Sequence, residues 1–406
     1  MPSPARYRID PETLREVLDN PADVTGWLDA ALATAGPDTG HAEHTELGVA
    51  ARQLGRLELA EKELGQAVEL AADPAQRVLA LARQAHVYQW QGRFALAESQ
   101  SRRCLRDAHL AGDEAHVVYL HAGLCAYDAG DWELAAQRFG TAVRLGQYSG
   151  DAEAIAQART ALDAAETAVF VQRITPHVQR LVTAVHEVTA REVAPEVFTA
   201  LGTPPHAGTF AELGLLGVIG PVAIQVVRGL HRYVDDLDER LDDLVAAGWL
   251  LRTPHTMVVS GKGRALLRQL AAAQSHTADR LWGRPGELKV LLDEVVAGAV
   301  GTSGGPAFDV LAPLTLEPEG AGAVFHRLNA LRYHRIDAHA HAWLSEGLTA
   351  RQVRELPAGS AARQRIETVT DRIAARAYRP LSPARRSQLL AGLTGLATYP
   401  ARHRAS

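Results

Sequence analysis

Cysteine is nearly absent. Cys104 and Cys125 are the only two in 406 residues, which excludes a disulfide framework. Both fall in helical pattern and read as small core residues of a reducing compartment rather than as a metal pair. Aromatic residues make up 5% of the chain, so its cores must be built mainly from alanine and leucine, which favours closely packed helices. No run of 18 apolar residues occurs, which excludes a helical membrane span. Met1-Pro-Ser-Pro-Ala-Arg6 offers no apolar signal core, and a cytoplasmic location is expected. Basic charge is not in excess: the formal net charge is −5, where a nucleic-acid-coating surface would be positive. Walker, G-x-S-x-G and C-x-x-C patterns are missing. Gly301-Thr-Ser-Gly-Gly305 lacks a following Lys-Ser/Thr and reads as a linker.

What is present is a repeat. Leu47, Gly48, Ala51, Gly55, Leu57, Ala60, Leu64 and Ala67 are matched by Ala85, Tyr88, Gly92, Phe94, Ala97, Ser101 and Cys104. A third copy follows as Gly123, Ala126, Gly130, Trp132, Ala135, Phe139 and Ala142. Gly55, Gly92 and Gly130 stand 37 and 38 residues apart and mark the turn inside each copy. A period of this length means stacked helix pairs, here six helices over 47–145. The pattern resembles the tetratricopeptide repeat, which implies a concave face for a peptide or protein. The expected domain is 43–166, three repeats closed by a solvating helix at Asp151–Glu166. Residues 1–42 are expected to cap it with helices, one starting at Asp10-Pro11-Glu12 and one at Pro21.

Beyond 167 the pattern changes. A long helix is expected over Thr175–Arg191, with Val178, Leu181, Val182 and Val185 on one face. Between Val222 and Leu270 the order is helix, helix ending at Ala247-Gly248, a hairpin through Leu250–Val259, and another helix. That order resembles the MarR-type winged helix. A helical unit at 167–297 is therefore expected, followed by a second at 306–406 with helices near 325–344, 361–377 and 383–396. Short phrases, among them Val185-His-Glu-Val-Thr189, Leu331-Arg-Tyr-His-Arg-Ile-Asp-Ala-His339 and Thr370-Asp-Arg-Ile373, resemble an actinobacterial helical family without an assigned activity. The resemblance implies that His186 and His339 belong to one feature. The fold class expected is all-α with one small β-hairpin.

Three features could carry chemistry. The second helix of the winged-helix segment would begin within Val234–Asp243, which holds six carboxylates and one arginine. Such a helix repels phosphate, so DNA is an unfavoured partner and packing the simpler role. Residues 351–406 contain eleven arginines against Glu355, Glu367 and Asp371, without interleaved aromatics, and read as a solvated basic face. The run Tyr333–Trp343 puts His334, Asp337 and His341 on one helical face. His334 and His341 lie two turns apart, too far to share a metal, so a metal would take Asp337, His341 and a distant residue such as His186. His186-Glu187 is not an H-E-x-x-H motif, because position 190 is alanine. The pocket expected is His186, Asp337, His339 and His341, holding a metal or an organic ligand.

The function expected is an interaction or regulatory protein, whose repeat groove binds a peptide or protein and whose C-terminal part binds a ligand or second partner. A ligand-responsive winged-helix regulator, and an enzyme acting on a peptide or small metabolite, are the alternatives. No cofactor is specified by the sequence.

Overall fold

The computed structural model describes residues 3–213, 220–303, 305–311 and 319–402. It is predominantly α-helical, with two small antiparallel sheets among the described residues. Two compact units divide at Val169/Phe170, within one helix. No described helix is long and apolar enough to cross a membrane.

In the first unit three helical hairpins follow one another: α2 (His41–Gln53) with α3 (Leu57–Glu69), α4 (Pro74–Trp90) with α5 (Phe94–Arg106), and α6 (Ala115–Asp128) with α7 (Trp132–Ser149). Helix α1 (Pro21–Thr34) precedes them. Each first helix ends in the same way. Gly55, Gly92 and Gly130 take φ of +74°, +74° and +82°. The next amide in each case reaches back five residues, Arg56 to Ala51, Arg93 to Tyr88 and Asp131 to Ala126, at 2.8–3.0 Å. This closure satisfies orphan carbonyls and needs a residue free to adopt positive φ. Close approach inside the hairpins is set by paired sizes. A Cβ on Gly48 would fall 2.6 Å from Leu64, and one on Gly123 would fall 2.4 Å from Phe139. At the equivalent place in the middle hairpin, Ala85 has a Cβ and its counterpart is the smaller Ser101. Cys104 and Cys125 are free and buried; burial pushes their thiols up to about 11 and about 12.

The amino-terminal segment departs from expectation. Asp10-Pro11-Glu12 does not start a helix. The chain forms a hairpin of β1 (Tyr7–Ile9) and β2 (Glu16–Leu18), paired Tyr7 to Leu18 and Ile9 to Glu16. The Asp10 carboxylate does accept the Glu12 and Thr13 amides, as a helix cap would. The turn stops there, because Leu14 is buried at φ +55° and the Asp10 amide bonds the Arg15 carbonyl. Burial of Leu14 overrides the local cap signal.

Helix α8 (Ala152–Glu192) joins into one element the two helices expected at 151–166 and 175–191, with Pro176 inside it. No glycine intervenes, and the proline removes only one ladder bond. From Phe170 onward its apolar side enters the core of the second unit with Val178, Leu181, Val182 and Val185. That unit continues with α9 (Ala194–Leu201), α10 (Ala207–Glu212), β3 (Val222–Ala223), α11 (Ile224–Leu230), α12 (Leu237–Ala246), β4 (Leu250–Arg252), β5 (Thr256–Val259) and α13 (Gly261–Trp282). The sheet order is β3-β5-β4, with Leu250 opposite Val259 and Val222 opposite Met257. Gly248, at φ +73°, closes α12. Next come α14 (Leu288–Ala299), α15 (Pro306–Leu311), α16 (Gly320–Ser345), α17 (Ala350–Glu355), α18 (Ala361–Ala375) and α19 (Pro383–Arg402). One core takes in residues from Phe170 to Leu396, so the stretches expected as separate units at 167–297 and 306–406 share their interior. Helix α16 is central: α13, α14, α15 and α18 all pack on it, and it is buried on most sides. Gly304 of the glycine-rich stretch and the basic tail from 403 lie outside the described residues.

Candidate cavity on the central helix

A helix buried on most sides must pair any polar group it carries. Helix α16 carries several, and they separate by face. Arg332, Arg335, Ile336 and His339, spaced i, i+3, i+4 and i+7, look into a cavity of about 510 Å³. Helix α8 supplies Val171, Thr175, Val178 and Gln179 to its wall, and α18 supplies Glu367. Tyr233, between α11 and α12, closes one side, and His334 and Tyr378 also reach it.

The histidines in this cavity are neutral at pH 7. Burial, with Arg335 nearby, pushes His339 down to about 4, and burial with Arg376 does the same for His334. Trp343 Nε1 donates to the Tyr233 hydroxyl at 3.2 Å, so that oxygen accepts and its proton points to His339 Nδ1 at 2.7 Å. The remaining His339 proton then sits on Nε2, which faces Glu367 at 3.8 Å. Thr302 donates to the Ala299 carbonyl at 2.7 Å, so its hydroxyl accepts from His334 Nε2 at 2.9 Å. Arg335 is neutralised by Asp371 and by Glu367 at 3.0 Å. Arg332 is different. It lies 5.8 Å from the Tyr333 ring, and no described carboxylate stands at ion-pair distance from it. The cavity thus combines apolar residues of α8 and α16 with polar groups, and Arg332 is the guanidinium in it without an ion pair among the described residues, its charge being felt at longer range by Glu212.

The four residues expected to form one pocket are distributed over four environments. His339 lines the cavity. Asp337 does not: it is fully buried, its carboxylate held by Arg232, by the Phe308 amide at 2.9 Å and by Ser303. Burial raises its pKa, opposed by the Phe308 amide and Arg232. His186 bonds Gln274 at 3.3 Å and stands edge-on to Phe325 with centroids 5.3 Å apart. His341 is exposed. Among the described residues no group of three or more His, Cys, Asp or Glu could hold a metal. The Asp337–His341–His186 set is therefore not assembled, and the reason is that Asp337 already spends its oxygens on structure. Of the expected residues His339 alone lines the cavity; Arg332 and Arg335, which were not expected, share its helical face at i, i+3 and i+7.

The acidic helix α12 is likewise committed locally. Asp236 meets Arg240 at 2.9 Å, Asp242 meets Arg252 at 2.7 Å, Asp238 meets Arg228 at 3.2 Å and Asp243 meets His206 at 2.9 Å. Asp235, just before it, binds Arg354 of the basic stretch at 2.6 Å. Others of that stretch are paired as well, Arg365 with Glu346 and Arg385 with Glu294. Comparison of the chain with family models, with curated proteins and with solved structures finds no match.

Proposed function

We propose that this is an interaction protein with two binding parts. The helical-hairpin array, read as tetratricopeptide-type, binds a polypeptide. The cavity on α16 binds a small amphipathic organic anion and makes the protein ligand-responsive. The observation that carries the second part is Arg332, a guanidinium without an ion-pair partner among the described residues, in a cavity of about 510 Å³ whose wall mixes Val171, Val178, Leu331 and Ile336 with a few polar side chains. That volume lies in the range of small-molecule sites, where few polar groups fix orientation and apolar walls supply affinity. Neutral His339 and Tyr233 add hydrogen bonds without adding charge. A DNA-reading role is disfavoured, because the helix that would enter the groove presents Asp238, Glu239, Asp242 and Asp243.

Decanoate and decanol test the reading. Decanoate should raise the melting temperature saturably and decanol should do so much less. Arg332→Ala should remove the difference while leaving the unliganded melting temperature close to wild type. Equal shifts by acid and alcohol, or none by either, would refute the anion site.

A further inference from the structure

Helices α2, α4 and α6 are neighbours and present a common side of the array. The segment Tyr7–Leu18 makes specific contacts with all three. Glu16 is clamped by both nitrogens of Arg52 on α2, one at 2.8 Å, with only 10% and 3% of the two side chains exposed. Arg15 lies over Trp90 of α4, 4.9 Å from the ring centre, and bonds Asp128 of α6 at 3.4 Å. Gln89 of α4 holds the same Asp128 oxygen at 2.7 Å. Tyr127 of α6 donates to the Glu12 carbonyl at 2.9 Å. Leu14 sinks into the cluster of Leu120, Leu124 and Tyr127. It does so at φ +55°, a conformation leucine rarely takes, so its buried side chain holds the backbone rather than the reverse.

These contacts are of the kind by which a groove grips a peptide: a charge clamp, one apolar pocket and a side chain taking a backbone carbonyl. The fit leaves polar capacity unused. His86 Nδ1, Gln89 Oε1 and His121 Nδ1 are buried without a hydrogen-bond partner. The two histidine rings lie 4.7 Å apart and feel the charge of Arg52. An array that needed the hairpin only as a lid would be expected to satisfy them.

We propose that the side formed by α2, α4 and α6 recognises a polypeptide segment carrying a leucine two residues before a carboxylate, and that Leu14-Arg15-Glu16 is its tethered, displaceable occupant. This rests on the reading that the array binds a polypeptide, and it names both the partner's chemistry and the competitor. A short tether holds the occupant at an effective concentration on the order of millimolar, so an incoming segment binds only by out-competing it. Arg52 and the Leu120–Leu124 pocket select; the unpaired His86, Gln89 and His121 atoms offer an incoming segment hydrogen bonds that the hairpin does not make.

The test uses the full chain and a labelled peptide of residues 4–20. Wild type is compared with Leu14→Ala/Glu16→Gln, which weakens the resident hairpin without altering the array. The variant should bind the peptide at least tenfold more tightly than wild type, and should ignore a scrambled peptide. Adding Arg52→Ala, or replacing the peptide's glutamate by glutamine, should abolish the gain. Hydrogen exchange over residues 7–18 should be faster in the variant while α2–α7 keep their protection. If the double variant loses helical content, Glu16→Gln alone carries the same comparison. Equal affinity of variant and wild type, with the hairpin shown to be released, overturns the proposal. Equal binding of the scrambled peptide overturns the leucine–carboxylate selectivity but leaves the polypeptide-binding array standing. Binding of neither peptide by a folded, opened variant overturns the proposal, and the array reading is then judged separately by whether that variant captures any member of a random peptide library.

Discussion

Buried arginine–carboxylate pairs show how differently the two units are built. In the first unit burial raises the Glu16 carboxyl, but the charge and hydrogen bonds of Arg52, which clamps it, together outweigh burial and hold it below the usual range. In the second, Arg232 holds Asp337 and Arg335 holds Asp371, yet burial wins and both carboxyls are raised. The first pair fastens a short hairpin onto a side of the array whose helices also pack among themselves. The Arg232–Asp337 pair lies inside the core, where Asp337 ties α16 to the Phe308 amide and to Arg232 across 105 residues of chain. The first arrangement is expected to open without unfolding its unit and the second is not.

Asp337→Ala should therefore give the largest effect of any single change. It strands Arg232 and frees the Phe308 amide, and breaking a buried pair costs about 3–5 kcal/mol. Urea unfolding of the second unit should shift by that amount, whereas Glu16→Ala should release the hairpin and leave the array's helices formed. Equal losses of helix at both sites would erase the contrast. Gly123→Ala comes next. Its Cβ would stand 2.4 Å from Phe139, and overpacking of this kind costs about 1–3 kcal/mol. Gly65→Ala is the control: its Cβ meets nothing nearer than 3.7 Å, so helix propensity should stabilise by up to about 1 kcal/mol. A destabilising Gly65→Ala would show that the paired sizes inside the hairpins are not what sets their spacing.

The same contrast explains what the sequence disclosed. The turns at Gly55, Gly92 and Gly130, and the hairpin at Leu250–Val259, depend on neighbours a few residues away, so their signals are local. The all-α class follows from the same short-range pattern. The amino-terminal hairpin was illegible because Leu14 is placed by Leu120 and Leu124, more than a hundred residues distant, against a local cap signal at Asp10. The cavity was illegible for a related reason. On a helix buried on most sides, hydrophobic periodicity no longer tells which face meets a void, so the polar residues of α16 could not be sorted by pattern alone. His334 and Asp337 looked like a site because they share a face; that face is where the helix is pinned by Thr302, Ser303 and Phe308. The useful sign was arginine in excess: Arg335 finds two carboxylates on α18, and Arg332 finds none among the described residues.

The finest test of the contrast is its dependence on pH, where the pairs of the two units respond with opposite sign. Glu16 is lowered from 4.5, so its contribution to stability is present above that value and is lost as pH falls through the folded-state pKa. His121, pushed down to about 3 by burial and by Arg52, stays neutral over most of this range and does not offset the loss. Asp337 and Asp371 are raised from 3.8, so their contribution is fully present below that value and declines as pH rises through their folded-state pKa values. Acidification below 4.5 should thus loosen the hairpin while relieving the buried aspartates of the second unit; His334 and His339, lowered to about 4, act in the opposite sense there, with a cost that grows from 6.5 down to about 4 and levels off below it, so the comparison is read below 4. Hydrogen exchange, corrected for its intrinsic pH dependence, reads both. The Leu14 amide, which bonds the Asp10 carbonyl, should lose protection first, and the Phe308 amide, held by Asp337, should keep its protection to lower pH. Loss of protection at Phe308 before Leu14 would mean that the core pair, not the hairpin clamp, is the acid-sensitive one.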